Sequence, residues 1–213
     1  MVDFLVVAIK KVGSNLCVYP KFRLYPKSKD LMTRGSDFYA VWLEDKGVWS
    51  TNEDDVMNII DDALREYTDK YKKEHPEDAK KVTTAFMWDA ASGSIDAWHK
   101  YCQKQKRDSF KMLDEKIIFS NDAISREDYA SKSLTYPLQK GDISAYDELM
   151  NVLYDKENRH KIEWAIGSIV NGDSKWIQKF LVFYGAAGTG KSTVLNIIQD
   201  LFDGYWIVFD AKA

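Results

Sequence analysis

The stretch "KFLVFYGAAGTGKSTVLNIIQDLF", from Lys179 to Phe202, constrains this chain more than any other. Within it, "GAAGTGKS" (185–192) satisfies the pattern G-x-x-x-x-G-K-S/T at every position. Ahead of it stands "KFLVFY", a compact apolar run of the kind that makes a buried parallel strand. Behind it, Val194, Leu195, Ile197, Ile198, Leu201 and Phe202 form an apolar stripe at helical spacing. Strand, glycine loop and helix, in that order, are what a phosphate-cradling loop requires.

Each residue type has its own physical reason. Gly185, Gly188 and Gly190 allow backbone angles and close approaches that a β-carbon would block. The backbone N–H groups of the loop then converge on phosphate oxygens, and the positive end of the following helix favours the anion. The expected nucleotide contacts are therefore Gly185, Ala186, Ala187, Gly188, Thr189, Gly190, Lys191, Ser192 and Thr193. Lys191 is the candidate catalytic residue, a mobile point charge for the β- and γ-phosphates of ATP. The Ser192 hydroxyl is the expected Mg²⁺ ligand. A glycine-rich turn with no ligand would leave the Lys–Ser pair at this spacing to coincidence. The dinucleotide fingerprint G-x-G-x-x-G does not fit, because Lys191 and Ser192 stand where its third glycine would be sought.

Phosphoryl transfer also calls for a second carboxylate near the metal, and an arginine often stabilises the transferring group. The tempting carboxylate is Asp210 at the end of "YWIVFDA", but Ala211 stands where a second acid is frequent. The plainer reading is a second core strand ending in an incidental Asp. The expectation is of a nucleotide-binding chain whose catalytic half lies beyond Ala213, inactive as an enzyme by itself.

Composition bounds the rest. With 45% hydrophobic and 30% charged residues over 213 positions, the chain reads as globular. A net charge of −3 gives no global basic footprint, so any nucleic-acid contact must come from local Lys and Arg clusters. Cys17 and Cys102 form no close-spaced pair, which suits a reducing, cytoplasmic setting (a host cytoplasm if phage-encoded). His75, His99 and His160 lie scattered without a Cys partner at metal spacing, so no zinc site is expected. "MVDFLVVAIKK" lacks the flanks of a signal peptide and reads as a strand, and no apolar run is long enough to span a membrane.

Three regions emerge. Residues 1–50 read as β-rich, with turns at Gly13-Ser14-Asn15 and Asp45-Lys46-Gly47. Residues 51–137 read as a mainly helical accessory domain. Its first helix is capped by Thr51 or Asn52, presents Val56, Ile59, Ile60, Ala63, Leu64, Tyr67 and Tyr71 on one face, and stops at His75-Pro76. A second helix is expected from Glu77 to Ala91 and a third from Ile95 to Arg107, followed by a weakly patterned connection. Residues 141–213 read as a helical lead-in to the loop. The fold class is thus an α+β N-terminal region with a helical accessory domain, then the first strand–loop–helix of an α/β P-loop domain.

The segment from Tyr146 to Phe202 resembles the poxvirus- and phage-type primase–helicases, whose motor is a superfamily 3 helicase of the AAA+ class. The resemblance rests on Trp164, Ala165, Ile166, Gly167, Ile169, Val170, Gly172 and Asp173, then on Phe180, Leu181, Tyr184 and the loop. A weaker likeness reaches back to Phe38. Thr189 stands where many members of that family have Asn. The resemblance implies an ATP-dependent DNA helicase of phage or viral-type replication, acting as a ring of like subunits on single-stranded or forked DNA. The family's second acidic motif, polar sensor and arginine finger fall beyond Ala213. Two other readings stay open: a nucleotide-gated DNA-binding or loading module that does not unwind, and an unrelated P-loop kinase or ABC-type ATPase.

For DNA itself, "HKYCQKQKRDSFK" offers Lys100, Lys104, Lys106, Arg107 and Lys111 with Trp98 and Tyr101 interleaved. Charge along a backbone with rings for bases suits a single strand. A solvated helix face with its aromatics turned inward produces the same spacing.

Overall fold

In the computed structural model, which describes residues 2–23, 28–34, 37–104 and 112–208, the chain is a mixed α+β protein with small sheets. It forms two compact units, Met1–Met112 and Leu113–Ala213.

The first unit begins with a hairpin. Strands β1 (Leu5–Val12) and β2 (Asn15–Phe22) pair antiparallel from Leu5↔Phe22 to Val12↔Asn15. The tight turn opens on Gly13 at φ +62°, a left-handed angle that such hairpin turns favour and that glycine reaches without strain. Strand β3 (Leu31–Arg34), β4 (Asp37–Leu43) and β5 (Val48–Ser50) make a second antiparallel sheet in the order β3-β4-β5. Helix α1 (Glu53–Glu74) then follows. Asn52 caps it by accepting the Asp54 N–H at 3.1 Å, and three acids in its first turn suit the positive helix end. His75 ends it, one residue before Pro76.

The expected helix over 77–91 is not formed. In its place come a 3-10 turn (Ala79–Lys81), strand β6 (Val82–Thr84) and a second 3-10 turn (Ala90–Ser92). Two forces outweigh the local helical pattern. The β-branched run Val82-Thr83-Thr84 pairs in parallel with Leu16, Cys17 and Val18 of β2, completing the sheet β1-β2-β6. Asp61, buried on α1, accepts the Met87 N–H at 2.6 Å and the Trp88 N–H at 3.4 Å, which fixes the chain beyond β6. The Thr68 and Thr84 hydroxyls add a 2.9 Å bond between α1 and β6.

Helix α2 (Ser94–Lys104) closes the unit. Its Trp98 is fully buried, touches Phe4, Phe22, Phe38 and Tyr101, and donates its indole N–H to Glu53 at 2.7 Å. Val56, Ile60 and Leu64 of α1 share this core with Leu5, Val18, Val41 and Val82. Helices α1 and α2 therefore share one core with the strands of residues 1–50 rather than forming a core of their own.

In the second unit, Ile117, Phe119 and Leu134 from the weakly patterned connection pack with Phe202. Helices α3 (Ser144–Leu153) and α4 (Lys156–Val170) meet at Asp155, which caps α4 by accepting the Asn158 N–H at 2.8 Å. Arg159 ties the pair, donating to Asp147, to Asn151 at 3.0 Å and to Glu163 at 2.7 Å. Short α5 (Ser174–Ile177) and α6 (Lys191–Leu201) complete it. Met150, Ile162 and Val194 form the core under α6.

Replacing Asp61 by Ala should strand two partly or fully buried N–H groups and cost about 1–3 kcal/mol. Urea unfolding followed by circular dichroism measures this; a change within error would mean that the Asp61 bonds do not hold the β6 connection.

Candidate functional site

The loop 185–192 enters α6 through two glycines in left-handed conformations, Gly188 at φ +81° and Gly190 at φ +76°. Gly190 is the residue before the first helical turn, and its carbonyl accepts the Val194 N–H at 3.1 Å. Gly190 is required twice over. Beyond the backbone angle, a β-carbon there would lie 2.6 Å from Leu153 Cδ2 and 2.8 Å from Cδ1. The end of α3 thus abuts the loop at its junction with α6, and Leu153 shares a cluster with Val194 and Met150.

Lys191 folds over the loop. Its ammonium donates to the carbonyl oxygens of Gly185 at 3.0 Å and Ala186 at 2.6 Å, and to Thr189 Oγ1 at 3.1 Å. Thr189 in turn donates to the Ala186 carbonyl at 3.0 Å. Ala186, Ala187, Gly188, Ser192 and Thr193 are exposed. The first N–H groups of a helix have no acceptor within it, so the start of α6 aims donors toward the loop. A positive side chain, a helix N-terminus and exposed backbone thus share one place. An anion fits that donor set, and a hydroxyl at Ser192 fits a divalent cation beside it.

The flanking strands differ from expectation. Residues 179–184 pair with no strand among the described residues, and neither do residues 205–208. Phe180 is 88% exposed and Tyr184 97%, whereas Phe183 packs on the α3–α4–α6 cluster. A strand exists only through a ladder with a neighbour, and apolar content alone supplies none. Asp210 lies outside the described residues, as do Lys106, Arg107 and Lys111.

Of the expected DNA contacts, Lys100 and Lys104 are exposed on α2. Tyr101 is not available for stacking on a base. It is 5% exposed and packed between Phe22 and Trp98. Burial, with Cys102 and Asp3 adding to it, raises its hydroxyl well above the ordinary tyrosine range. On α2 the aromatic spacing served the core.

Among the described residues, no group of three or more His, Cys, Asp or Glu is placed to hold a metal ion, and no helix is long and apolar enough to cross a membrane. Compared with protein-family models, curated proteins and solved structures, the chain matches none.

Gly190→Ala should destabilise the loop by about 1–2 kcal/mol from backbone strain alone, with the Leu153 clash added. Leu153→Ala in the same chain should recover part of the loss, read as a coupling between the two sites in unfolding measurements. Strict additivity would show that Leu153 does not support the loop.

Proposed function

We propose that the loop 185–192 binds the phosphates of ATP with Mg²⁺, and that the chain is part of an ATP-dependent DNA helicase of the primase–helicase type. The observation that carries the nucleotide reading is the seat of Lys191. Its ammonium lies against the Gly185 and Ala186 carbonyls at the point where α6 begins. Weak carbonyl acceptors hold the cation there, and a phosphate oxygen is a stronger one, so an incoming anion can draw the side chain off the loop. Backbone N–H groups of Gly188, Thr189 and Gly190 would take the remaining oxygens. Ser192 would hold the metal, whose chemistry is to neutralise charge on the β- and γ-phosphates.

The helicase part of the reading rests on the resemblance around Trp164 to Asp173 and the loop. It carries with it a ring of like subunits, DNA as partner and a cytoplasmic replication setting. The packing of α4 on α6 through Ile162 and Val194 supports it, because the two halves of that resemblance form one core.

Lys191→Ala should weaken ATP binding at least tenfold, since charge-assisted bonds to phosphate are worth about 1.5–3 kcal/mol. Equilibrium binding of a fluorescent ATP analogue with and without Mg²⁺ measures this. Unchanged affinity would remove the nucleotide reading. Retained ATP binding with no effect of DNA on it, in a preparation that binds DNA, would favour a P-loop kinase or transport ATPase over the helicase.

A further inference from the structure

The sheet β1-β2-β6 covers the core with one face only. Strand pleating sends alternate residues to opposite sides. Leu5, Val7, Ile9, Leu16, Val18, Phe22 and Val82 join the core. The alternate set on β1 and β2, centred on Ala8, Lys10, Cys17, Tyr19 and Lys21, belongs to the other face, and Thr83 of β6 extends it. None of these six is among the residues packed on that core.

This outer face has a one-signed charge. Of the lysines on the three strands, Lys10 and Lys21 lie on this face while Lys11 has the parity of the core-facing residues, and the strands hold no Asp or Glu, although the whole chain carries −3. Arg23, exposed one step beyond β2, falls on the same parity as Lys21, and its N–H pairs with the Phe4 carbonyl so that the ladder continues to it. In the middle sits Tyr19, partly exposed, with the Lys10 ammonium 4.7 Å from its ring centre. Small side chains at Ala8 and Cys17 keep the surface around the ring low.

We propose that this face is a platform for single-stranded nucleic acid, with Tyr19 stacking on a base and Lys10 and Lys21 contacting the flanking phosphates. A polyanion complements the lysines, and an aromatic ring on an open sheet can reach bases only where they are unpaired. An acidic protein surface could also satisfy the lysines, whereas stacking of the ring on a base is particular to a nucleic acid. The Lys10 ammonium lies over one face of the ring, so a base stacking on that face would displace it toward the adjoining phosphate. The platform is separate from Lys100 and Lys104 on α2, and it does not depend on the reading of the phosphate loop.

The test uses the whole chain and fluorescence anisotropy with a labelled oligothymidine of about 20 nucleotides, longer than a single small domain covers. Tyr19→Ala should weaken binding about fivefold or more, the loss of one stacked base. Lys10→Ala with Lys21→Ala should weaken it further and lower the salt slope by about 1.4, the share of two phosphate contacts on a single strand. Both variants carry substitutions outside the core, and circular dichroism should show them folded. Unchanged affinity in both overturns the proposal. So does loss only in a Lys100→Ala, Lys104→Ala variant, which would place the strand on α2. Equal loss of binding to poly-glutamate in the lysine variant, with no effect of Tyr19→Ala on oligothymidine, overturns it in favour of an acidic protein partner.

Discussion

Helix α1 has to bury Val56, Ile60 and Leu64, and the arrangement of the first unit follows from what covers them. Each small sheet has an apolar face that must be buried against another element. One helix supplies that element to both. The sheet β1-β2-β6 contributes Leu5, Val18 and Val82, and the sheet β3-β4-β5 contributes Val41 and Leu43. Trp98 of α2 fills the remaining space and returns a hydrogen bond to Glu53 in the first turn of α1. Asp61 is the one charged residue on the buried face of α1. It is tolerated because the backbone N–H groups of Met87 and Trp88 satisfy it, so a carboxylate inside becomes a clamp on the chain leaving β6.

In the second unit the equivalent constraint is the junction of α3 with the loop. Val194, one turn into α6, is buried against Met150 and Ile162, which sets the helix. Leu153 then meets the loop at Gly190, where no β-carbon would fit. Asp147, Glu163 and Asn151 gather around Arg159 and keep α3 and α4 in register, so the position of Leu153 is held from behind. The network lies some residues from the loop in sequence, yet it ties the helix whose last residue, Leu153, meets the loop.

Much of this could be read from residue order, because the signals were local. Gly13 and Gly47 marked the two hairpins, and both adopt the left-handed angle. Thr51 or Asn52 at one end and His75-Pro76 at the other bracketed α1, and Asn52 is the cap. The helical lead-in before the loop followed from spacing. What escaped were features set by distant partners. Val82-Thr83-Thr84 is a strand because β2 lies beside it, a parallel pairing across more than sixty residues that no local pattern announces. Asp61 read as one more acid on a charged helix. The spacing of Tyr101 and Trp98 allowed base platforms but favoured core, and the proximity of Phe4 and Phe22 bears out the core reading. Of the candidate nucleotide site, the left-handed glycines were legible in the motif, whereas Leu153 was not, since nothing in an apolar helix end says which backbone it will touch.

The apolar run 179–184 reads as a strand by composition, and the comparison with β4 explains why composition was insufficient. Both are aromatic and β-branched. Strand β4 has a partner on each side, and Val41 is fully buried between them. Residues 179–184 have no ladder among the described residues, and only Phe183 finds a core. The loop that follows nevertheless takes a defined form. Gly188 and Gly190 set its turns, Thr189 and Lys191 bond back to its carbonyls, and Leu153 packs where it joins α6. These contacts come from the loop, α3 and α6 alone. Among the described residues the glycine loop is therefore shaped by local backbone freedom and one helix end, with no strand ladder beneath it.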